Sequence, residues 1–172
     1  GWSDYANYIV GYNFENGEVD DEEEDPSHPA NPANNEIWYT NGSTTESTQP
    51  RTSAFGYARI VSNEYDSENG HWVITFDREL TTIGEGAFEY CDSLTSVTIP
   101  DSVTTIGEGA FLNCKSLKVF KGKFAADGGR CLIIDGVLNA FAIGCGVTQY
   151  TIPDSVTWIG QFAFCACESL TS

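Results

Sequence analysis

The strongest constraint on the fold of this chain is a 23-residue repeat in its carboxyl-terminal part. Residues 71–93, 94–116 and 147–169 align without gaps, at offsets of 23 and 53 residues. The apolar positions common to all three copies are Ile83, Ile106 and Ile159; Ala87, Ala110 and Ala163; and Phe88, Phe111 and Phe164. Repeats of this length are typical of solenoids, in which one unit cannot bury its apolar side chains alone and must stack on the next.

Each copy opens with a strand pattern. In the second copy Leu94, Val97 and Ile99 occupy the apolar positions of the spacing L-x-x-L-x-L. This spacing predicts a short strand of a parallel sheet, with the apolar side chains in the core and the intervening ones exposed. Pro100 ends the strand because it has no N–H group to donate to a neighbouring strand. Val103–Ile106 is a candidate second strand on the opposite wall.

A helical turn is expected after this second strand. Ile106, Ala110 and Cys114 recur at four-residue intervals, as do the apolar side chains on one face of a helix. Thr105 and Glu108 have the spacing of a capping box at the start of such a helix, and the preceding copy has the same spacing. The repeat therefore predicts one short helix in each regular unit.

The unit between the second and third copies is longer and different. Residues 117–146 start like a strand, but the helix pattern is missing. Instead, the apolar runs Cys131–Ile134 and Val137–Phe141 are joined by Asp135 and Gly136. Asp-Gly between apolar runs favours a tight turn in which both residues have positive φ. We therefore expect a β-hairpin to replace the helix in this unit.

The motif IPDSVTTIGEGAFLNC, residues 99–114, resembles the BspA-type leucine-rich repeats of surface proteins from anaerobic bacteria and some protists. The resemblance covers roughly residues 71–172. It implies a cell-surface or secreted location, a right-handed superhelix of strands and helices, and a role in adhesion. The family pattern supplies no catalytic residues.

The expected fold class is accordingly α/β: a right-handed leucine-rich-repeat solenoid of short parallel strands and short helices, with one β-hairpin insertion and a β-rich amino-terminal cap. Residues 1–35 are expected to be an acidic arm or linker, 36–70 the cap, and 71–172 the solenoid of about four units. Strand candidates before the solenoid are residues 36–40 and 58–62, followed by 72–76 in the first repeat.

The end of the sequence resembles the start of a further unit. Leu170, Thr171 and Ser172 repeat the residues that open the second copy at position 94, so the last unit is incomplete. An incomplete coil leaves its apolar layer without the cap that a finished solenoid needs. We expect the parent protein to continue beyond this point, and the isolated chain to associate weakly end to end.

Charge excludes several partners. The net charge is −17, and residues 1–50 hold 11 acidic side chains but no lysine or arginine. Such a charge repels nucleic acid and anionic lipid, and no apolar run is long enough for a membrane span.

The acidic run 20–25 is expected to be a solvated linker, with a calcium site as the alternative. Residues 1–19 are too apolar for a free tail and are expected to pack on something.

The six cysteines and the repeated carboxylates have structural interpretations. Cys91, Cys114 and Cys167 occupy equivalent repeat positions, which favours buried, reduced thiols, although a disulfide or a metal site at the close pair Cys165 and Cys167 stays open. The recurring acidic residues are expected to belong to turns and caps. We predict no enzyme, with no catalytic residues and no cofactor site, and we favour structural thiols over a metal site.

Binding is expected on the exposed positions of the repeat strands. Small hydroxyl side chains there form a flat, wettable surface, and a group of lysines around position 120 could contact an anionic ligand. The predicted ligand face consists of Thr95, Ser96, Thr98, Lys118, Val119, Lys121, Thr148, Gln149 and Thr151. The predicted function is an extracellular or cell-surface module that binds a host protein or glycan. The alternative is a passive spacer or display stalk with no ligand of its own.

Overall fold

A computed structural model of the chain describes residues 31–171, and the expectations for the acidic run 20–25 and for residues 1–19 lie outside this part. The described part contains eleven strands and one 3₁₀ turn. They are β1 (Glu36–Thr40), β2 (Ile60–Asp66), β3 (His71–Phe76), β4 (Thr82–Ile83), β5 (Ser96–Thr98), β6 (Thr105–Ile106), β7 (Val119–Lys121), β8 (Ala125–Ala126), β9 (Cys131–Ile134), β10 (Val137–Phe141), the turn Ile143–Cys145, and β11 (Trp158–Ile159).

The largest sheet has five strands in the order β2-β3-β1-β5-β7. Strand β1 lies between β3 and β5 and is antiparallel to both, whereas β5 and β7 are parallel. The side chains of β1 alternate: Ile37 and Tyr39 are buried against the core, and the residues on either side of them face away from it. The sheet is therefore mixed, not the parallel sheet that the repeat predicted.

The opposite wall follows the repeat more closely. Strands β4 and β6 pair in parallel, with Thr82 opposite Thr105 and Ile83 opposite Ile106. This register equals the repeat length, so equivalent residues of successive coils lie side by side. The candidate second strand of the repeat is thus confirmed as a two-residue strand.

The longer unit contains the expected hairpin. Strands β9 and β10 are antiparallel, and they are joined by Asp135 and Gly136, which have φ values of 50° and 78°. The hairpin belongs to a four-stranded sheet in the order β11-β10-β9-β8, in which β10 and β11 are parallel. The hairpin thus provides the strand on which the last coil stacks.

The α/β assignment is wrong, because residues 31–171 contain no α-helix. The segments expected to be helices are successive turns. Alternate N–H groups donate three residues back, as from Ala87 to the Gly84 carbonyl, and in the first of these segments the others donate to the next coil, as from Phe88 to Ala110 at 2.7 Å. Because only alternate N–H groups donate within a coil, and to the third residue back, no continuous helical ladder forms and no capping box is needed.

Positive φ values reinforce these turns. Tyr90 and Asn113 occupy equivalent corners, and both have a φ of 58°. Gly86 and Gly109 are a second equivalent pair, with φ values of 60° and 59°. A residue in the left-handed region interrupts a right-handed helix, so each corner contains two helix-breaking positions.

The core consists of the side chains that the repeat predicted to be apolar. Phe88 and Phe111 stack with their ring centroids 5.2 Å apart and their planes 3° from parallel, and Phe120 meets Phe111 edge-on at 5.2 Å. At the front, Phe55 from the cap packs on Phe88 at 5.9 Å. The described residues include no helix long and apolar enough to cross a membrane.

Candidate ligand-binding face

The outer face of the five-stranded sheet, the side opposite the core, is the candidate site. Pairing registers place one side chain from each strand in a single row across this face. This central row runs, in order, Glu64, Val73, Trp38, Thr98 and Lys121. The arrangement exists because β1 enters the sheet between two repeat strands, and it places a tryptophan in the middle of the face.

Trp38 is held in place by two neighbours. Its ring stacks on the ring of His71 from the adjacent strand, with the centroids 4.6 Å apart and the planes 28° from parallel. Its indole Nε1 donates a hydrogen bond of 3.0 Å to Oε2 of Glu36. The Nε2 atom of His71 is buried and has no hydrogen-bond partner among the described residues. A tryptophan with a fixed orientation loses little conformational entropy when it contacts a ligand.

A group of hydroxyl side chains lies beside Trp38. The Oγ1 atom of Thr40 is 2.7 Å from Oγ1 of Thr95 and 2.6 Å from Oγ of Ser96. Either partner can donate in each pair, so these hydroxyls can reorient towards a polar ligand. All three residues are half-buried. Thr40 is on the opposite side of β1 from buried Tyr39, so its hydrogen bonds place Thr95 and Ser96 of the predicted ligand face on the outer face of the sheet.

The third predicted hydroxyl differs. Thr98 was expected to be exposed, but it is only 8% exposed. It lies in the central row, between its strand partners Trp38 and Lys121. Thr98 is therefore a packing residue beneath the surface, and its expected exposure was wrong.

The basic end of the face is formed by β7. Lys121 is exposed at the end of the central row, Val119 is half-buried opposite Ser96, and Lys118 is exposed immediately before the strand. Lys123, another member of the lysine group, donates instead to the carbonyl of Asp101 at 3.2 Å and lies 4.8 Å from the centre of the Phe124 ring. The lysine group is therefore divided, and only part of it faces outward beside the sheet.

The remaining predicted residues are separated from the sheet. Thr148, Gln149 and Thr151 are exposed, but they belong to no strand. The sheet ends at β7, where the backbone N–H of Phe120 donates to the carbonyl of Gly129 in the longer unit. The structure thus does not place these three residues on the five-stranded sheet. The repeat could not reveal this, because it predicted a strand in the last unit like that of the others.

The thiols differ in burial: Cys91, Cys114 and Cys131 are buried, Cys145 and Cys167 are half-buried, and Cys165 is exposed. Burial raises the pKa of Cys91 to about 11 and raises the pKa of Cys114 further. The Cys114 thiol donates to the carbonyl of Phe88 at 3.0 Å. All six cysteines are free thiols, and residues 31–171 contain no group of three or more metal-ligating side chains placed to hold an ion.

Trp38 and His71 were missed by sequence reasoning. Both lie before the second repeat copy, and the strands that pair with the Trp38 segment are far along the chain. The alternation of β1 was a usable signal, since it places Trp38 on the opposite face from Ile37 and Tyr39. Nothing in the sequence showed that this strand would enter the repeat sheet.

Comparison with known proteins establishes the family. The model of the BspA type leucine rich repeat region matches residues 58–123 and 138–172, in six copies. The matched residues are more than half of the chain, and the chain belongs to this family. Its repeat is a non-enzymatic structural unit.

One solved structure is similar to the chain. It is the crystal structure of a leucine rich cell surface protein from Faecalibacterium prausnitzii A2-165, with 28% sequence identity and a TM-score of 0.39. The alignment covers 68% of this chain and 31% of that protein, so the chain spans about a third of its length. A comparison with curated proteins gave no match.

Proposed function

We propose that the chain is a binding module of an extracellular or cell-surface protein, and that its outer face binds an extracellular protein or glycan. The observation that carries this proposal is the central row, which combines a fixed tryptophan with flanking charged side chains on paired strands. Membership of the BspA-type family supports the surface location, because surface proteins of anaerobic bacteria and protists contain such repeats.

The chemistry of the outer face suits recognition. Binding free energy at protein surfaces is concentrated in a few central residues, among which tryptophan is enriched. Trp38 is central, and the hydroxyls of Thr40 and Ser96 beside it can exchange hydrogen bonds with a sugar or a peptide. Because these residues belong to paired strands, their spacing is set by the backbone ladder and changes little on binding.

A panel of extracellular-matrix proteins and immobilised glycans, probed with the full 172-residue chain, tests the proposal. For a ligand found in this way, Trp38→Ala should weaken binding about thirtyfold, the loss that corresponds to a central interface residue. The matched control is Trp158→Ala, the same substitution at a residue that is 69% exposed on the last coil. Thermal unfolding of both variants checks that the fold is intact.

Two results would contradict the assignment of the binding site to the outer face. Equal binding by Trp38→Ala and the unmodified chain would move the site elsewhere on the molecule. A panel without any ligand would instead favour a passive spacer or display stalk.

A further inference from the structure

The central row carries opposite charges at its two ends. Glu64 lies on the edge strand β2 and Lys121 on the edge strand β7, and both are exposed. Within residues 31–171 neither has an ion-pair partner. The nearby carboxylates of Asp66 and Glu36, in contrast, accept hydrogen bonds from Asn69 and Trp38. The unengaged charges of this row are therefore one acid and one base, at opposite edges.

The spacing makes this pattern symmetrical about the tryptophan. Neighbouring strands are about 4.8 Å apart, so Glu64 and Lys121 are separated by about 19 Å, with Trp38 halfway. A two-fold axis parallel to β1 and above Trp38 would place Glu64 of one copy opposite Lys121 of another. An axis perpendicular to the strands would place like charges together. The charge pattern therefore selects one of the two face-to-face arrangements.

We propose that the outer face binds the outer face of a second copy of this chain, with the strands aligned, Trp38 against Trp38, and two reciprocal Glu64–Lys121 pairs. The inference rests on the proposed function, since it names the partner of the same face. Two twisted sheets pack face to face with their strands roughly aligned, as this arrangement requires. The module is thus self-complementary, and its adhesion is homotypic.

The size of the face determines how strong this contact is. Five strands of about four residues cover roughly 300 Å² per copy, whereas a stable interface buries about 800 Å² on each partner. One pair of modules therefore binds weakly. Many copies on two opposing surfaces bind together through multivalency, which raises the effective affinity without any new contact.

The test uses beads coated with the full 172-residue chain, in about 0.15 M salt, and measures their clustering by light scattering. Lys121→Glu and Glu64→Lys should each abolish clustering when present alone, because each places like charges together. A mixture of the two coated bead populations should cluster, since every contact then pairs a lysine with a glutamate. The double variant Glu64→Lys/Lys121→Glu should also cluster by itself.

This design separates the specific contact from general charge effects. The two single variants move the net charge of −17 in opposite directions, so a common loss of clustering cannot come from net repulsion. Trp158→Gln controls for the expected end-to-end association through the last coil, and it should leave clustering unchanged. Unmodified beads that never cluster, or a mixture that behaves like the single variants, would overturn the inference. Ligand binding on the panel would then still support the proposed function.

Discussion

At the scale of single residues, the phenylalanine rings of successive coils pack directly on one another. Phe111 is buried between Phe88 and Phe120, at 5.2 Å from each. The cost of truncating such a ring includes both its lost burial and the cavity left behind.

We expect Phe111→Ala to lower the free energy of unfolding by roughly 3–5 kcal/mol. The matched control is Phe162→Ala, since Phe162 is 47% exposed on the last coil and should lose only a small fraction of that amount. Urea denaturation followed by circular dichroism measures both. Similar losses in the two variants would show that Phe111 does not hold the coils together.

The buried thiols make the free energy of unfolding depend on pH in the alkaline range. An unfolded cysteine ionises near pH 8.5, whereas burial raises the pKa of folded Cys91 to about 11 and that of Cys114 further. Their contribution to stability is therefore complete below about pH 8.5 and is lost as the pH rises towards 11. The unfolded chain releases these protons while the folded chain keeps them.

The free energy of unfolding should accordingly fall between about pH 9 and pH 11, and it should fall less steeply in the double variant Cys91→Ala/Cys114→Ala. Urea titrations at a series of pH values measure the slope. Tyr39 is present in both proteins, so the burial that raises its pKa is common to the two titrations. Identical slopes would mean that the two thiols are accessible to solvent in the folded chain.

At the scale of elements, the repeat period predicted the contacts between coils better than it predicted secondary structure. It aligned Ile83 with Ile106, and these residues are partners in the β4–β6 pair. It misassigned the corner that follows, because Ile106, Ala110 and Cys114 point inward from stacked turns as they would from a helix. Spacing alone cannot separate the two, since it records which side chains are buried but not where the N–H groups donate.

The candidate site was partly predictable for the same reason. The outward orientation of Ser96 and Lys121 follows from alternation within a repeat strand, and the structure places both on the outer face. The centre of the face comes from β1, an antiparallel strand of the cap that does not follow the repeat. A long-range pairing of this kind has no local signal, so Trp38 could not be assigned to the site from the sequence.

Close approach of the coils is a further property of these elements. At Gly107 an added Cβ would meet the backbone of Gly84 and Glu85 in the preceding coil. Backbone atoms cannot move aside as a flexible side chain can, so the two coils would have to separate. Glycine at this position is therefore required by the distance between β4 and β6.

Gly107→Ala should consequently destabilise the fold by about 1–3 kcal/mol, the range for overpacking, and should weaken the pairing of β4 with β6. Gly144→Ala is a matched variant in the longer unit, where an added Cβ would also meet the backbone, at Lys115, Ser116 and Leu117. A surface control is Thr52→Ala at an exposed position in the cap, with an expected change within about 0.5 kcal/mol. Thermal unfolding measures all three, and a neutral Gly107→Ala would show that the coils are further apart than the structure has them.

At the scale of the whole described unit, the two ends of the stack differ. The front coil is covered by the cap, whose Phe55 is buried against Phe76 and Phe88. In the last coil Ile159 is 44% exposed, whereas its equivalents Ile83 and Ile106 are 0% and 8% exposed. The apolar side chains that other coils bury are thus open to solvent at one end, and stability should decrease along the stack towards that end.

Hydrogen exchange should reveal this gradient through two equivalent amides. The Gly107 N–H donates to Ile83 at 2.7 Å, and the Gly160 N–H donates to Leu138 at 2.9 Å, so each is hydrogen-bonded to the preceding coil. Their surroundings differ, because Ala163 is the only buried residue of 147–171. Local openings expose amides in the regions with fewest buried contacts. We therefore expect the Gly160 amide to exchange faster than the Gly107 amide by about an order of magnitude or more.

The denaturant dependence of the exchange gives the decisive comparison. If the last coil opens by itself, exchange at Gly160 should respond weakly to added urea, because a small opening exposes little surface. Exchange at Gly107 should respond as strongly as global unfolding does. The Ala110 and Ala163 amides, which donate within their own coils to Gly107 and Gly160, form an internal control and should show the same difference. Equal rates and equal urea slopes at both pairs would mean that the described coils unfold as one cooperative unit despite the exposed end.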